Sequence, residues 1–184
     1  LTYKPLGKDQ VEVQKNAATE LGWTDDEVEP KQISIQKQIA IDTDNLTSST
    51  YDEIRDFDAT LQKAFLQDGE TITFTLYKDQ SCKTIAKDFD GNTIDAITLT
   101  NEGKHADGIV QFENLLPGTY YLKESMNFSG FTEPVVKKIV ISKAGGITVD
   151  NDPVTDGNTI KFVNHTDESG FGYVAFWKKG TSAI

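Results

Sequence analysis

Three polar side chains lie on strand faces that are otherwise apolar, and their residue types could react with one another. Lys37 falls on the isoleucine face of ISIQKQIAI, a segment in which apolar and polar residues alternate. Glu124 has the equivalent position in TYYLKE, and Asn164 has it in TIKFVN. Because successive side chains of a strand point to opposite faces, all three are predicted to face the core.

The chemistry that these groups could perform is the formation of an amide bond. An amine in an apolar environment loses its charge readily and becomes a nucleophile. A buried carboxyl group stays protonated, so Glu124 could polarise the carboxamide of Asn164 and transfer protons. Attack by Lys37 would then release ammonia and leave a Lys37–Asn164 isopeptide bond, formed once and in place because the groups are held together.

Two other interpretations of the same pattern stay open. In the first, Lys37 and Glu124 form a buried ion pair, and Asn164 is their hydrogen-bond partner, since a polar group buried alone is costly. In the second, the assigned register is wrong by one residue and all three side chains face solvent. A slip of one residue moves every side chain of a strand to the opposite face.

The elements that must position these residues are predicted to be short strands separated by turns. The first is ISIQKQIAI, and further candidates follow Gly69: TITFTLY, TIDAITL, GIVQFENL, TYYLKE, VVKKIVIS, TIKFVN and GYVAFW. No βαβ alternation is present, so a parallel sheet is not expected. The pattern predicts an all-β fold, an antiparallel Ig-like or Greek-key β-sandwich.

A helix-bearing insertion, residues 42–68, is predicted between the first two strands. The segment from Thr50 to Glu53 has the spacing of a capping box, and Gly69 would end the helix. Between them, apolar residues recur at helical spacing, namely Ile54, Phe57, Leu61 and Phe65. These features predict an amphipathic helix of about four turns.

Composition excludes several classes of protein. The chain has 18 Lys+Arg against 29 Asp+Glu, a formal net charge of −11, which argues against a nucleic-acid or anionic-membrane surface. The sequence contains no apolar run of about 18 residues, the length that could span a membrane. Cys82 is the only cysteine, so no internal disulfide and no Cys/His zinc site are expected. No cofactor site and no nucleophile–histidine arrangement of a hydrolase can be identified.

Residues from about 31 to 178 resemble the Cna-B (prealbumin-like) domains of Gram-positive adhesins and sortase-assembled pilins. The resemblance is carried by ISIQKQ, TITFTLYKD, GIVQFENLLPGTYYLKES and TIKFVNHT, and the stretch from Gly108 to Glu124 is the most specific. In that family a first-strand lysine, a glutamate and a last-strand asparagine form an autocatalytic isopeptide bond. By this resemblance Lys37 and Asn164 are the linked residues, and Glu124 is the catalyst.

The resemblance has departures. The family passes quickly from the first strand to the second, whereas the insertion at 42–68 intervenes here, so Lys31 is kept as a second candidate for the linked lysine. SMNFSGF replaces the usual APxGY after the glutamate. Residues 1–30 match nothing in the family and are predicted to be a leader or a remnant of a neighbouring module. Residues 31–184 are predicted to be the sandwich.

The resemblance implies a structural or adhesive module rather than an enzyme. It implies an extracellular, cell wall-anchored or pilus location, with other pilin or adhesin domains and a host surface or matrix ligand as partners. A signal peptide and a sorting motif are missing from the sequence, so an excised fragment is expected. Whether Lys178 or Lys179 is an intermolecular linkage site stays open. The alternative is a sandwich that binds a host matrix protein or carbohydrate through Tyr173 and Trp177.

Overall fold

Two β-sheets and one short helix make up the part of the chain that the computed structural model describes, which is residues 28–41, 53–129, 131 and 136–165. The elements are β1 Lys31–Ile41, β2 Glu53–Asp56, α1 Ala59–Phe65, β3 Ile72–Tyr77, β4 Ile97–Leu99, β5 Ile109–Leu115, β6 Gly118–Met126, β7 Lys137–Ile141, β8 Ile147–Val149, β9 Asp152–Pro153 and β10 Thr159–His165. The predicted leader, the strand GYVAFW and the residues Tyr173, Trp177, Lys178 and Lys179 lie outside the described residues, apart from 28–30.

β1 is the central strand of the first sheet. β10 pairs with it in parallel along one edge. On its other edge β5 pairs antiparallel with the first half of β1, and β2 pairs antiparallel with the second half. The strand therefore changes neighbours on that edge between Gln36 and Gln38.

The second sheet has the order β4-β3-β6-β7-β8-β9, and all of its pairs are antiparallel. Buried residues of both sheets form one hydrophobic cluster, so the sheets pack face to face. The predicted all-β sandwich is thus confirmed. The one parallel pair joins the first and the last of the described strands, which the sequence pattern did not indicate.

The alternating pattern of the strands is what builds this core. In β1, Ile33, Ile35 and Ile39 are buried, and every second residue of β3 is buried as well. Aromatic side chains pack between the two sheets. Phe74 of β3 and Phe162 of β10, for example, form an edge-to-face pair with ring centroids 5.5 Å apart.

The insertion contains the predicted helix in a shorter form. Glu53–Asp56, expected to lie in its first two turns, is strand β2 and pairs with the half of β1 that β5 leaves free. Pairing there satisfies backbone groups that would otherwise be left open on β1. In agreement with this, Ile54, expected on the apolar helix face, is 59% exposed.

The helix begins about two turns later than predicted, because its N-cap is Asp58 rather than Thr50. The Asp58 carboxylate accepts a hydrogen bond from the backbone N–H of Leu61 at 3.0 Å, which is the usual role of an aspartate at this position. Leu61 and Phe65 are buried as predicted. None of the helices within the described ranges is long and apolar enough to cross a membrane.

Candidate functional site

Lys37 lies at the point in β1 where the neighbouring strand changes from β5 to β2. Neither strand pairs with it in register. Instead, its backbone N–H donates to the carbonyl oxygen of Gly108 at 2.9 Å, and its carbonyl oxygen accepts from the N–H of Phe57 at 2.8 Å. Both backbone groups of Lys37 are therefore bonded on the edge that β5 and β2 share, while its side chain points into the core.

Asn164 lies on β10, the parallel neighbour of β1. The register sets Phe162 opposite Lys37 and Asn164 opposite Ile39, two residues further along. The lysine side chain extends along the strand pair, and its Nζ donates to Asn164 Oδ1. The same Nζ lies 2.8 Å from the carbonyl oxygen of Gln38 and 3.4 Å from that of Phe162.

Glu124 approaches this pair from the opposite sheet. It lies on β6, where it is opposite Phe74 of β3. Its Oε2 is 3.6 Å from Lys37 Nζ, and within the described ranges neither carboxyl oxygen has a hydrogen bond of good geometry. The side chains of Lys37, Glu124 and Asn164 are 1%, 0% and 2% exposed, so the amine, the carboxyl and the carboxamide meet away from solvent.

Burial shifts the proton affinities of the two ionisable groups in opposite directions. It lowers the pKa of Lys37 from 10.5 to about 8, although the nearby Glu124 acts to raise it. It raises the pKa of Glu124, against the opposing influence of Lys37 and of the Asn164 carboxamide. Both shifts favour the neutral forms, which are a free amine and a carboxylic acid.

Aromatic rings line the approach to the three groups. The ring of Phe162 packs edge-to-face on Phe74, and both are buried. Lys137 Nζ lies 5.1 Å from the centroid of the Phe162 ring, and its charge also acts on Glu124. The site is therefore apolar and closed, which is the condition for a neutral lysine.

The arrangement brings together an amine, a carboxamide and a carboxyl group, which have the chemistry of a nucleophile, an electrophile and a proton carrier. All three residues singled out in the sequence lie in contact, on three strands and in both sheets. Lys31, the second candidate lysine, begins β1 opposite Leu115, six residues or about 20 Å from Lys37 along the strand. It is Lys37 that contacts Asn164.

Sequence reasoning missed two further buried polar residues. In the described part of the chain, the buried polar or charged residues are Gln36, Lys37, Gln62, Glu124 and Asn164. The alternation of ISIQKQIAI predicts Gln36 on the face of β1 opposite to the isoleucines, and Gln62 follows Leu61 in α1 with no signal that it is buried. Both donate to backbone carbonyl oxygens near Lys37, which a strand or helix pattern does not reveal.

Metal-ligating side chains do not gather at this site. Among the described residues, no three His, Cys, Asp or Glu side chains are placed to hold a metal ion. Cys82 is a partly exposed free thiol in the loop after β3, and its Sγ lies 3.7 Å from the carbonyl oxygen of Gln80 in the same loop.

Three solved structures of pilus proteins are similar to the chain. GBS52, the minor pilin of the Gram-positive pathogen Streptococcus agalactiae, matches at 15% identity and a TM-score of 0.37, over 75% of this chain and 45% of its own. The C-terminal fragment of the pilus adhesin SpaC from Lactobacillus rhamnosus GG matches at 12% identity and a TM-score of 0.35, over 74% and 52%. The group B streptococcus pilus 2b backbone protein matches at 19% identity and a TM-score of 0.34, over 76% of this chain and 42% of its own.

The chain spans about half the length of each of these structures. No curated protein matches it. A family model, described as the SpaA prealbumin-like fold domain, matches residues 57–153, more than half of the 184 residues. The match includes Glu124, whereas Lys37 and Asn164 lie on the flanking strands. The resemblance to prealbumin-like domains of the Cna-B type is confirmed, and the chain belongs to the family of SpaA prealbumin-like fold domains.

Proposed function

We propose that this domain is a structural module of a Gram-positive pilus or cell-surface protein, strengthened by an isopeptide bond between Lys37 and Asn164. The observation that carries the proposal is the contact of Lys37 Nζ with the Asn164 carboxamide in the buried core. The same Nζ lies 3.6 Å from Glu124 Oε2. Other pilin or adhesin domains are the partners that fit such a module.

The reaction requires only these three side chains. The neutral amine of Lys37 attacks Cγ of Asn164, while protonated Glu124 hydrogen-bonds the carboxamide oxygen and stabilises the charge that develops there. Glu124 then relays a proton from the attacking nitrogen to the departing NH₂ group. The bond from Cγ to that group breaks, ammonia leaves, and Glu124 ends protonated as it began.

Proximity takes the place of an external enzyme. Groups held in contact by a rigid core reach effective concentrations far above any in solution, and a buried site keeps competing water out. Each chain would react once, with itself. The domain would therefore not be an enzyme toward other molecules.

The position of the bond would suit a module under tension. It would join the first and last described strands, across 127 residues of sequence. Because β1 and β10 are parallel neighbours, a pull on the start of β1 and the end of β10 loads the pair in shear. A covalent link between them would carry that load without separation of the strands.

The test is the intact mass of the purified chain beside Lys37→Ala, Glu124→Ala and Asn164→Ala variants. The wild-type chain is expected to be about 17 Da below its calculated mass, the loss of one ammonia, and each variant is expected at full mass. A thioester of Cys82 would give the same deficit, so the deficit must also survive methylamine. A wild-type chain at full mass would refute the isopeptide bond.

A ligand-binding role is the second candidate, and one surface feature favours it. A cleft of about 390 Å³ is lined by Ile85 and Leu116, which are 42% and 41% exposed, with Lys78 and Lys87 beside them. Exposed apolar side chains grouped in a cleft are typical of binding surfaces. A binding screen of host matrix proteins and glycans, with Leu116→Ser as the control, tests this role separately.

A further inference from the structure

Gln62 is a fully buried amide in α1 that ties two segments together. Its Nε2 donates to the carbonyl oxygen of Phe57 at 2.8 Å and to that of His105 at 2.7 Å. Its Oε1 has no hydrogen-bond partner in the described part of the chain. The position of the amide thus lets both of its N–H groups donate hydrogen bonds, but it leaves the buried oxygen without a partner among the described residues, which is unfavourable.

The two segments that Gln62 joins are those that hold the backbone of Lys37. On one side, the N–H of Phe57 donates to the carbonyl oxygen of Lys37. On the other side, the carbonyl oxygen of His105 also accepts from the N–H of Gly108 at 2.9 Å, and the carbonyl oxygen of Gly108 accepts from Lys37. A closed ring of hydrogen bonds therefore runs from Gln62 to Lys37 and back.

This ring lies on the edge of β1 where the sheet supplies no regular pairing for Lys37. On that edge β5 pairs with β1 as far as Gln36 and β2 pairs with it from Gln38, so only β10, on the opposite edge, pairs with Lys37 in register. The space is also tight, since a Cβ on Gly108 would lie 2.5 Å from the carbonyl oxygen of Phe57. A shift of Phe57 or Gly108 is therefore transmitted directly to Lys37.

We infer that the helix-bearing insertion is a working part of the crosslinking site, and that Gln62 is a positioning residue that acts through Phe57 and Gly108 to aim Lys37 at Asn164. This inference rests on the proposed function. Gln62 touches none of the reacting groups. Its effect is on the alignment of the amine, and misalignment by about 1 Å is enough to slow a reaction between held groups by orders of magnitude.

The test measures the rate of ammonia loss in the full chain. Wild type and Gln62→Met are assembled by chemical synthesis and kept unfolded in denaturant, then diluted into buffer and followed by intact mass. Methionine has a similar size but donates no hydrogen bond. Gln62→Met is expected to react at least about ten-fold more slowly than wild type. Ile147→Ala, which truncates a buried residue of β8 far along the second sheet, serves as the control for general loss of stability.

The pH dependence separates positioning from a loosened core. If Gln62 only positions Lys37, the rate falls while the midpoint of its pH profile stays where it is in wild type. A core opened to water would move that midpoint toward the ordinary pKa of lysine, and such a shift overturns the inference. The inference is also overturned if Gln62→Met reacts at the wild-type rate, or if Ile147→Ala is slowed as much as Gln62→Met. Neither result contradicts the proposed isopeptide bond.

A second pair of variants covers the case in which Gln62→Met does not fold. Gly108→Ala sets a methyl group against Phe57, whereas Gly145→Ala places one at a similar positive φ in open space. Slower ammonia loss in Gly108→Ala alone supports the inference, and equal rates contradict it. A wild-type chain that never loses ammonia refutes the proposed function, and the inference with it.

Discussion

Lys37 and Asn164 lie on adjacent parallel strands but are offset by two residues, because Asn164 is in register with Ile39. Two residues of strand span about 7 Å, close to the reach of an extended lysine side chain. The offset therefore brings Nζ, rather than the stem of the side chain, to the carboxamide. A residue directly opposite Lys37 would lie beside its Cβ and out of reach of the amine.

Replacement of Glu124 by glutamine is expected to prevent the loss of ammonia while the fold is kept. Glutamine has nearly the same shape, but it cannot relay a proton. Intact mass spectrometry should give the full calculated mass for Glu124→Gln. Glu113→Gln, an exposed carboxyl on β5, is the matched control and should show the wild-type deficit. A deficit in Glu124→Gln would rule out the proton relay.

The rate of ammonia loss is expected to rise with pH toward the pKa of Lys37, about 8, and to fall again at higher pH, where Glu124 loses the proton that the reaction needs. Below that pH the amine is protonated in the folded chain, so the rate should fall about ten-fold per pH unit. The charged group that acts on Lys37 is Glu124, and Lys137 in turn acts on Glu124. Dilution from denaturant into buffers of pH 5 to 10 measures the profile, and a rate that does not depend on pH would contradict attack by a neutral amine.

The stability of an uncrosslinked variant is expected to increase at alkaline pH. The folded pKa of Lys37 lies below its unfolded value of 10.5, so the unfolded chain binds more protons between the two values, and the free energy of unfolding rises with pH there. The value of about 8 includes the raising effect of Glu124, which Glu124→Gln lacks, so the gain from pH 7 to 11 in this variant should be at least roughly 3 kcal/mol. Urea unfolding measures it, with Lys37→Met/Glu124→Gln as the reference in which the rise is absent.

Loss of the crosslink is expected to lower the free energy of unfolding by several kcal/mol. A link that closes a loop of 127 residues stabilises a protein by about 5 kcal/mol, by analogy with a disulfide. Lys37→Met removes the amine and keeps an apolar side chain in the core. Its unfolding midpoint in guanidinium chloride should fall well below that of wild type, in the presence or absence of a reducing agent. Equal midpoints would show that the chain holds no such bond.

Removal of the N-cap of α1 is expected to cost about 1 kcal/mol. Asp58→Ala removes the acceptor for the N–H of Leu61, whereas Asp58→Ser retains one. Unfolding in urea should therefore rank Asp58→Ala below Asp58→Ser, with wild type near the latter. The same cost in both variants would mean that the charge of Asp58, and not its capping bond, is what stabilises the helix.

The sequence by itself determined which residues face the core. A period of two marks one face of a strand whatever its partners are, so Lys37, Glu124 and Asn164 could be assigned to apolar faces from their own segments. The motif from Gly108 to Glu124 indicated the prealbumin-like family on the same local grounds. These features depend only on residues a few positions away along the chain, so the sequence alone is enough to identify them.

Only the tertiary structure decided how those faces meet. The parallel pairing of β1 with β10 and its offset of two residues depend on contacts more than a hundred residues apart, which no local period encodes. Residues 53–56 have the apolar spacing of a helix, but they became β2 because β5 leaves that edge of β1 unpaired. Gln62 is buried for a related reason. The carbonyl oxygens that it satisfies belong to a turn and a loop that meet only in the folded chain.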